Sequence, residues 1–203
     1  MPRGIVRLGQ SGAFYSTDRC RNDRSHMATN LELKVACRPD DLDSVAALAT
    51  IAGASWQPLM RHVDTYFGVP SGRLKLREIF VEGECPQFEL IGYRRPDERG
   101  ARWSTYSRAR FDESTGKEAY SALAATLDVT VIVEKFRNVA ILGRTRIHLD
   151  TVTELGAFVE LETVTSSEND STAATELEMI TDLLGLRAFS VVAESYSDLL
   201  GAL

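Results

Sequence analysis

The stretch TRIHLDTVTELGAFVELE, residues 145–162, limits the fold most strongly, because polar and apolar side chains alternate along it. Such alternation is typical of β-strands with one polar and one apolar face. A Gly-containing turn separates the two predicted strands. The charged side chains share one face: Arg146, His148, Asp150, Glu160 and Glu162. Taken alone, this face suits contact with solvent, but four other predicted strands repeat the pattern.

Further stretches between residues 30 and 142 follow the same two-residue period. We predict about eight strands, which are the two above and residues 30–35, 62–67, 73–77, 88–93, 102–110 and 130–142, the last being one strand or a strand pair. Helical periodicity predicts three helices, at residues 40–53, 118–127 and 173–186, and a final docked turn at residues 196–200. Most connections are short, which favours antiparallel pairing of neighbouring strands.

The charges are unevenly distributed over these strands. Acidic side chains are grouped on the first and last strands, and basic side chains on the middle strands. The predicted helices need the apolar strand faces as packing partners, so the polar faces point away from them. We therefore predict an α+β fold, a closed antiparallel β-barrel of about eight strands with helices packed outside. Its polar interior is costly unless filled, which predicts a tunnel that binds a highly charged ligand.

Length and composition set wider limits. The chain has 203 residues, of which 44% are hydrophobic and 26% charged, as expected of one globular domain. We assign this domain to residues 27–203. Residues 1–26 are polar and lack periodicity, so we expect them to be disordered or extra sequence. A net charge of −6 gives no general reason to expect nucleic acid as a partner.

The sequence also bears on the cellular setting. Cys20, Cys37 and Cys85 are odd in number and widely spaced, so they suggest neither a disulfide framework nor a thiolate metal site. No stretch approaches the roughly 20 apolar residues of a membrane span. We expect a cytoplasmic protein without a membrane partner. A homodimer formed through the outer helices stays open.

Seven motifs occur in order along the chain: NLELK (30–34), HVDTYF (62–67), GRLKLRE (72–78), RRPD (94–97), VEKFR (133–137), RIHLDTVTELGAFVELE (146–162) and ESYSDLL (194–200). In their order and spacing they resemble the CYTH family. These proteins are the triphosphate tunnel metalloenzymes, which include class IV adenylyl cyclases, thiamine triphosphatases and inorganic triphosphatases. The resemblance covers residues 30–200 and implies a tunnel that binds a triphosphate together with Mg²⁺ or Mn²⁺.

The resemblance also implies roles for individual residues. The family's metal ligands correspond to four acidic residues: Glu32, Asp150, Glu160 and Glu162. Hard cations prefer such oxygen ligands. The family's basic tunnel residues, which bind the triphosphate, correspond to Lys34, to Arg73 or Lys75, and to Arg77, Arg94, Lys135 and Arg137. Face parity alone adds Arg108 and Arg146 as tunnel candidates. Catalytic roles fall on three of these cations: Lys34, Arg77 and Lys135.

Two departures from the family pattern bear on activity. The first Glu of the family's opening ExExK motif is Asn30 here, and its neutral amide oxygen is a poorer metal ligand than a carboxylate. Class IV adenylyl cyclases tend to carry a His-Phe pair shortly upstream, whereas His26 is followed by Met27.

His62 and His148 are expected to form hydrogen bonds rather than to bind metal, because a carboxylate-rich site prefers hard cations.

Three functions are compatible with these features. The leading expectation is a metal-dependent triphosphatase that acts on tripolyphosphate, thiamine triphosphate or ATP. The first alternative is a class IV adenylyl cyclase, which converts ATP to cyclic AMP and pyrophosphate. The second alternative is a non-catalytic protein that binds nucleotide or polyphosphate. Asn30 motivates it, because the resemblance implies two metal sites and a neutral amide in place of the first Glu would impair one of them.

Overall fold

A computed structural model describes residues 28–94, 100–165 and 170–202. These residues form ten β-strands and four α-helices. The strands are β1 Ala28–Cys37, β2 Ser55–Trp56, β3 Met60–Phe67, β4 Arg73–Val81, β5 Gln87–Arg94, β6 Arg102–Phe111, β7 Val129–Leu142, β8 Thr145–Val152, β9 Gly156–Thr165 and β10 Ser190–Val191. The helices are α1 Pro39–Ile51, α2 Glu113–Ala124, α3 Ser171–Leu183 and α4 Tyr196–Gly201. No helix in this part of the chain has the length and apolar character needed to span a membrane. The prediction for residues 1–26 lies outside the described residues.

Eight long strands close into one antiparallel barrel. Their order is β1–β6–β5–β4–β3–β7–β8–β9, and β9 pairs back with β1. This closed barrel with helices outside confirms the predicted α+β fold. Residues 129–142 form one continuous strand, so the alternative of a strand pair there is wrong. The short strands β2 and β10 were not predicted, and they extend the sheet beside β7 and β1.

The two faces of the barrel wall have opposite environments, as the sequence predicted. On β9, Val159 and Leu161 are buried in an apolar layer beneath α1 and α3, whereas Glu160 and Glu162 line the barrel interior. Leu177 of α3 packs into the same layer. Burying an aliphatic side chain contributes about 1.5–3 kcal/mol. The helices therefore fix which face of each strand turns inward.

Helix α2 covers a second apolar layer, over β5 and β6. The helix begins after Asp112, whose carboxylate accepts a hydrogen bond from the backbone N–H of Thr115 at 2.9 Å and so satisfies a donor that the helix leaves unpaired. Gly116 faces Phe88 of β5, and a Cβ at position 116 would lie 2.2 Å from Phe88 Cγ. Glycine therefore permits the close approach. The helix was predicted at residues 118–127, so it begins five residues earlier than expected and includes this glycine.

Candidate active site inside the barrel

A cavity of about 390 Å³ lies inside the barrel, within the range of about 300–1,000 Å³ typical of ligand sites. All eight long strands contribute side chains to its wall. Its cations are Lys34, Lys75, Arg77, Arg108, Arg110, Lys135, Arg137 and Arg146. Its acids are Glu32, Glu89, Glu160 and Glu162. Ammonium and guanidinium groups gathered in this way suit a polyanionic ligand.

Asp64 of β3 orients two cations of β4. Its carboxylate is 1% exposed and accepts hydrogen bonds from Arg77 Nε and Nη2 at 2.7 and 2.8 Å and from Lys75 Nζ at 2.8 Å. Asp64 lies directly opposite Arg77 in the strand pairing. Burial raises the pKa of Asp64, but Arg77 and Lys75 outweigh burial and hold that pKa well below its usual range. The ionised carboxylate therefore fixes both cationic side chains in place.

Asp150 of β8 orients two cations of β7 in the same manner. It is fully buried and accepts hydrogen bonds from Arg137 Nε at 2.6 Å and Nη2 at 2.5 Å, and from Lys135 Nζ at 3.3 Å. The Tyr196 hydroxyl donates a further bond at 2.9 Å. Burial raises the pKa of Asp150, but Arg137 and Lys135 lower it below its ordinary value. The carboxylate is thus ionised and enclosed by its partners.

Glu89 of β5 forms a third such group with two arginines of β6. Its Oε1 atom lies 3.2 Å from Arg108 Nη1 and 3.2 Å from Arg110 Nε. The side chain of Arg110 is 69% exposed, so solvent screens this group more than the other two. All three groups share one pattern, in which a carboxylate faces the second of two cations spaced two residues apart on the neighbouring strand.

Three side chains that can bind a metal meet where β8 and β9 face the cavity. His148, Glu160 and Glu162 each offer one ligand atom, and these atoms lie within 4.8 Å of one another. Glu32 of β1 faces Glu162 in the strand pairing. Burial raises the pKa values of both β9 carboxyl groups, but Lys34 beside Glu160 and His148 beside Glu162 help to hold them below their ordinary values. Ionised carboxylates beside an imidazole fit a divalent cation, so these residues fit the metal that the family resemblance implies.

Two lysines meet over the ring of Tyr196, the first residue of α4. Lys34 Nζ lies 4.1 Å and Lys135 Nζ 4.9 Å from the ring centroid, within the distance of a cation–π contact. Lys34 Nζ also lies 3.6 Å from Glu160 Oε1. Burial and the neighbouring Arg137 lower the pKa of the Lys135 amine to about 7. The charge of Lys135 therefore changes near neutral pH.

Three buried side chains of the cavity wall carry polar atoms that have no hydrogen-bond partner among the described residues. These atoms are Asn30 Oδ1, His62 Nδ1 and Nε2, and His148 Nδ1. Each of the three residues is at most 4% exposed. Buried polar atoms normally have partners, so these atoms are placed to meet whatever fills the cavity. Burial and the neighbouring Arg77 lower the pKa of His62 well below its ordinary value, which leaves its imidazole neutral.

Ten of the site residues predicted from the sequence line this cavity: Glu32, Lys34, Lys75, Arg77, Arg108, Lys135, Arg137, Arg146, Glu160 and Glu162. The structure places three others elsewhere. Arg73 begins β4 and pairs with Asp198 of α4 at 2.8 Å. Arg94 ends β5 and donates a hydrogen bond to Ser71 Oγ at 3.0 Å at an exposed position. Asp150 bonds the cations of β7 and is not part of the His148 group.

Sequence analysis assigned no role to four residues of this site. Asp64, Glu89 and Arg110 lie on the inward faces of predicted strands. The two-residue period alone therefore indicates that they face the cavity. Tyr196 lies in α4, outside the barrel strands, and packs its ring 5.0 Å from the ring of Phe158. No local pattern in the sequence places a residue of α4 inside the cavity.

Solved structures with the same fold differ widely from this chain in sequence. The PH1012 protein from Pyrococcus horikoshii OT3 has a TM-score of 0.66 and 19% identity, covering 84% of this chain and 98% of its own. A proposed adenylate cyclase from Vibrio parahaemolyticus has a TM-score of 0.59 and 19% identity, covering 84% and 97%. HpAC1 from Hippeastrum, a proposed adenylyl cyclase described as having a dominant triphosphatase activity, has a TM-score of 0.57 and 12% identity, covering 86% and 94%. At these identities the likeness shows the fold alone, and no curated protein matches the chain.

One protein family matches most of the sequence. The model of the CYTH domain matches residues 28–196. This span contains all eight strands of the barrel and every side chain of the cavity wall, up to Tyr196 of α4. The match agrees with the family resemblance of the seven sequence motifs. The chain therefore belongs to the CYTH domain family.

Proposed function

We propose that the protein is a metal-dependent triphosphatase, which hydrolyses an organic or inorganic triphosphate held inside the barrel. One observation carries this proposal: buried cations and a group of carboxylate and imidazole side chains line the same cavity. The cations suit phosphate oxygens, and the carboxylates would hold a divalent metal ion. Membership of the CYTH family supports the same function, because its members are triphosphate tunnel metalloenzymes.

Four cations of β4 and β7 are positioned to hold the substrate: Lys75, Arg77, Lys135 and Arg137. Asp64 and Asp150 orient these side chains before any substrate arrives, so binding costs little side-chain entropy. His62 lies beside Lys135 in the β3–β7 pairing, and its neutral ring can donate one hydrogen bond to a phosphate oxygen. Donors fixed around the transferred phosphoryl group stabilise charge in the transition state, each worth about 10²–10³ in rate.

The carboxylates of β9 are the proposed metal ligands. A bound divalent cation supplies a Lewis acid that neutralises phosphate oxygens and polarises the attacking water. Arg137 Nη2 lies 3.0 Å from Glu160 Oε2, and Arg146 Nη1 lies 3.3 Å from Glu162 Oε2. These contacts orient the carboxylates and place cations beside them. Glu32, opposite Glu162 on β1, is the further acidic ligand.

Lys135 gives the site a group that takes up a proton when substrate binds. Its pKa of about 7 leaves part of the free protein with a neutral amine. A bound triphosphate raises this pKa, since nearby negative charge favours the ammonium form. The resulting ammonium group stabilises the charge on the departing phosphate oxygens. Lys34, which contacts the same Tyr196 ring, supplies a second ammonium group.

Hydrolysis fits this cavity better than cyclisation of ATP. Cyclisation requires a pocket that holds adenine as well as the triphosphate, whereas about half of the residues in the cavity wall are charged. HpAC1 has the same fold and is described as having a dominant triphosphatase activity, although it was proposed to be a cyclase. The fold is thus compatible with hydrolysis as the main reaction.

Product analysis tests the proposal directly. The purified protein is incubated separately with tripolyphosphate, thiamine triphosphate and ATP, in the presence of Mg²⁺, Mn²⁺ or a chelator. We expect orthophosphate from at least one substrate and no release in chelator. Cyclic AMP with pyrophosphate from ATP would establish the cyclase instead. Tight binding without any product would establish a binding protein.

A pair of arginine variants links the activity to the cavity. Arg77→Ala removes a guanidinium group that lines the cavity, and we expect kcat/KM to fall about 10²–10³-fold. Arg187→Ala is the matched control, because Arg187 pairs with Asp182 on the protein surface. Its kcat/KM should equal that of the wild type. An equal fall of kcat/KM in both variants, or no fall in Arg77→Ala, would show that the cavity is not the site of the reaction.

A further inference from the structure

His148 is a buried histidine whose hydrogen bonding is incomplete. Its side chain is 5% exposed, it lines the cavity, and its Nδ1 atom has no hydrogen-bond partner among the described residues. Nδ1 lies 3.5 Å from Glu160 Oε2, and Nε2 lies 3.9 Å from Glu162 Oε2. These distances exceed those of hydrogen bonds, and one ligand atom from each of the three residues lies within 4.8 Å of the others. One ion can therefore bond all three groups.

The neighbouring cations do not use all the lone pairs of these carboxylates. Arg137 and Lys34 contact Glu160, and Arg146 contacts Glu162. An ionised carboxylate has two oxygens and about four lone-pair sites, so each can hold an arginine and a cation together. Arg146 lies on β8, two positions from His148, and Arg137 lies on β7. Unlike a guanidinium group, the imidazole of His148 can offer a neutral nitrogen to a metal.

The donor set points to a particular class of metal. Two carboxylates alone suit hard cations such as Mg²⁺, which prefers oxygen ligands and retains several waters. An imidazole nitrogen suits first-row transition ions much better than it suits Mg²⁺. Asn30 adds a neutral oxygen to the same cavity wall, and its Oδ1 also has no hydrogen-bond partner among the described residues. The group of one imidazole and two carboxylates thus contains a nitrogen that a pure carboxylate site lacks.

We propose that His148 is a direct metal ligand together with Glu160 and Glu162, and that its nitrogen makes this site select a first-row transition ion such as Mn²⁺ or Co²⁺ over Mg²⁺. This inference rests on the proposed function in one respect, since it places the ion in the cavity that holds the triphosphate. It assigns to His148 a role different from the hydrogen-bonding role expected from the sequence.

Metal titrations without substrate test the proposal. Binding of Mn²⁺ and of Mg²⁺ to the full chain is measured by calorimetry, and Mn²⁺ binding also by electron paramagnetic resonance. We expect Mn²⁺ to bind at least about tenfold more tightly than Mg²⁺. Loss of an outer-sphere partner alone typically costs 10–100-fold in metal affinity. His148→Gln should therefore weaken Mn²⁺ binding at least about tenfold and change Mg²⁺ binding less than about threefold.

His62→Gln is the matched control. His62 is as buried as His148, at 4% exposed, and lines the same cavity, but it is not one of the three grouped ligands. We expect its Mn²⁺ affinity to match that of the wild type. Equal Mn²⁺ losses in both variants, or none in His148→Gln, would overturn the proposal. Tighter binding of Mg²⁺ than of Mn²⁺ by the wild type would overturn it as well.

A second measurement needs no variant. Pulsed electron paramagnetic resonance of the Mn²⁺-loaded wild type detects a directly bonded ¹⁴N nucleus, and we expect such a coupling. A bound Mn²⁺ without nitrogen coupling would exclude His148 as a ligand. This test and the test of the proposed function can fail independently. Nitrogen-bound Mn²⁺ in a protein that hydrolyses no triphosphate would support the role of His148 and refute the triphosphatase. Metal-dependent hydrolysis with unchanged binding by His148→Gln would leave only the triphosphatase standing.

Discussion

Replacing Asp64 by asparagine tests whether a buried acid holds the cavity cations in place. Asp64 accepts two hydrogen bonds from Arg77 and one from Lys75, and the Asp64 side chain is 2% exposed. Asparagine preserves the size of the side chain but removes the negative charge. Two buried cations then lack their counter-ion, which water cannot replace in the barrel wall. We therefore expect a large loss of stability.

The magnitude follows from the burial of this group. Removing one partner of a buried ion pair costs about 3–5 kcal/mol. For a domain of this size, each kcal/mol lowers Tm by about 2–4 °C, so Asp64→Asn should lower Tm by about 6–20 °C. Tripolyphosphate supplies the missing negative charge. It should therefore raise the Tm of the variant by more than it raises the Tm of the wild type.

Thermal unfolding followed by circular dichroism, with chelator present, measures both effects. Asp182→Asn is the control, because the pair of Asp182 with Arg187 is exposed, and its Tm should change little. The difference between wild type and Asp64→Asn should also shrink in acid. The folded pKa of Asp64 lies well below its ordinary 3.8, so its stabilising charge is fully present above pH 3.8 and is lost as pH falls through the folded pKa. A Tm of Asp64→Asn within the range of the control would refute this account of the cations.

Two further perturbations probe the charge of Lys135 and the packing of α2. Lys135 has a folded pKa of about 7, below its ordinary 10.5, so the folded state binds fewer protons between these values and unfolding free energy rises with pH across that window. Because triphosphate binding restores the proton, the Kd for the triphosphate should rise by up to about tenfold per pH unit above pH 7. In Lys135→Met, the Kd measured by calorimetry should rise less steeply with pH. Gly116→Ala gains about 1 kcal/mol of helix propensity, but its Cβ would lie 2.2 Å from Phe88 Cγ, so overpacking of about 1–3 kcal/mol should prevail in urea unfolding. Ser121→Ala, exposed on the same helix, is its control, and a more stable Gly116→Ala would show that α2 can move outward.

The barrel could be predicted because the two-residue period is written into each strand. Glu160 and Glu162 alternate with Val159 and Leu161, and only one face of β9 can pack against the helices. The same parity identified Arg108 as a cavity residue. Parity gives the face of a residue but not its position along the barrel axis. The sequence therefore did not reveal that Arg73 pairs with Asp198, that Arg94 bonds Ser71, or that Asp150 accepts hydrogen bonds from Lys135 and Arg137.

The site residues that were not predicted from the sequence fall into two classes. In the first, the partner lies on the neighbouring strand of the same hairpin. Asp64 faces Arg77 across the β3–β4 hairpin, Glu89 faces Arg110 across the β5–β6 hairpin, and both pairs follow from the register of neighbouring strands. A search for an acid opposite a cation within one hairpin would have found them, as it would have found the pair of Asp150 with Arg137.

The contacts of Tyr196 belong to the other class. Its hydroxyl group reaches Asp150 across 46 positions of sequence, and its ring meets Lys34 of the first strand. Arg137 reaches Glu160 across the width of β8, from a strand that does not pair with β9. The contact of Arg137 with Glu160 spans one intervening strand, whereas Lys34 meets Glu160 across the β1–β9 pair that closes the barrel. Pairing within hairpins thus determines which cations are oriented by acids and brings Arg146 to Glu162, whereas closure of the barrel brings Lys34 to Glu160.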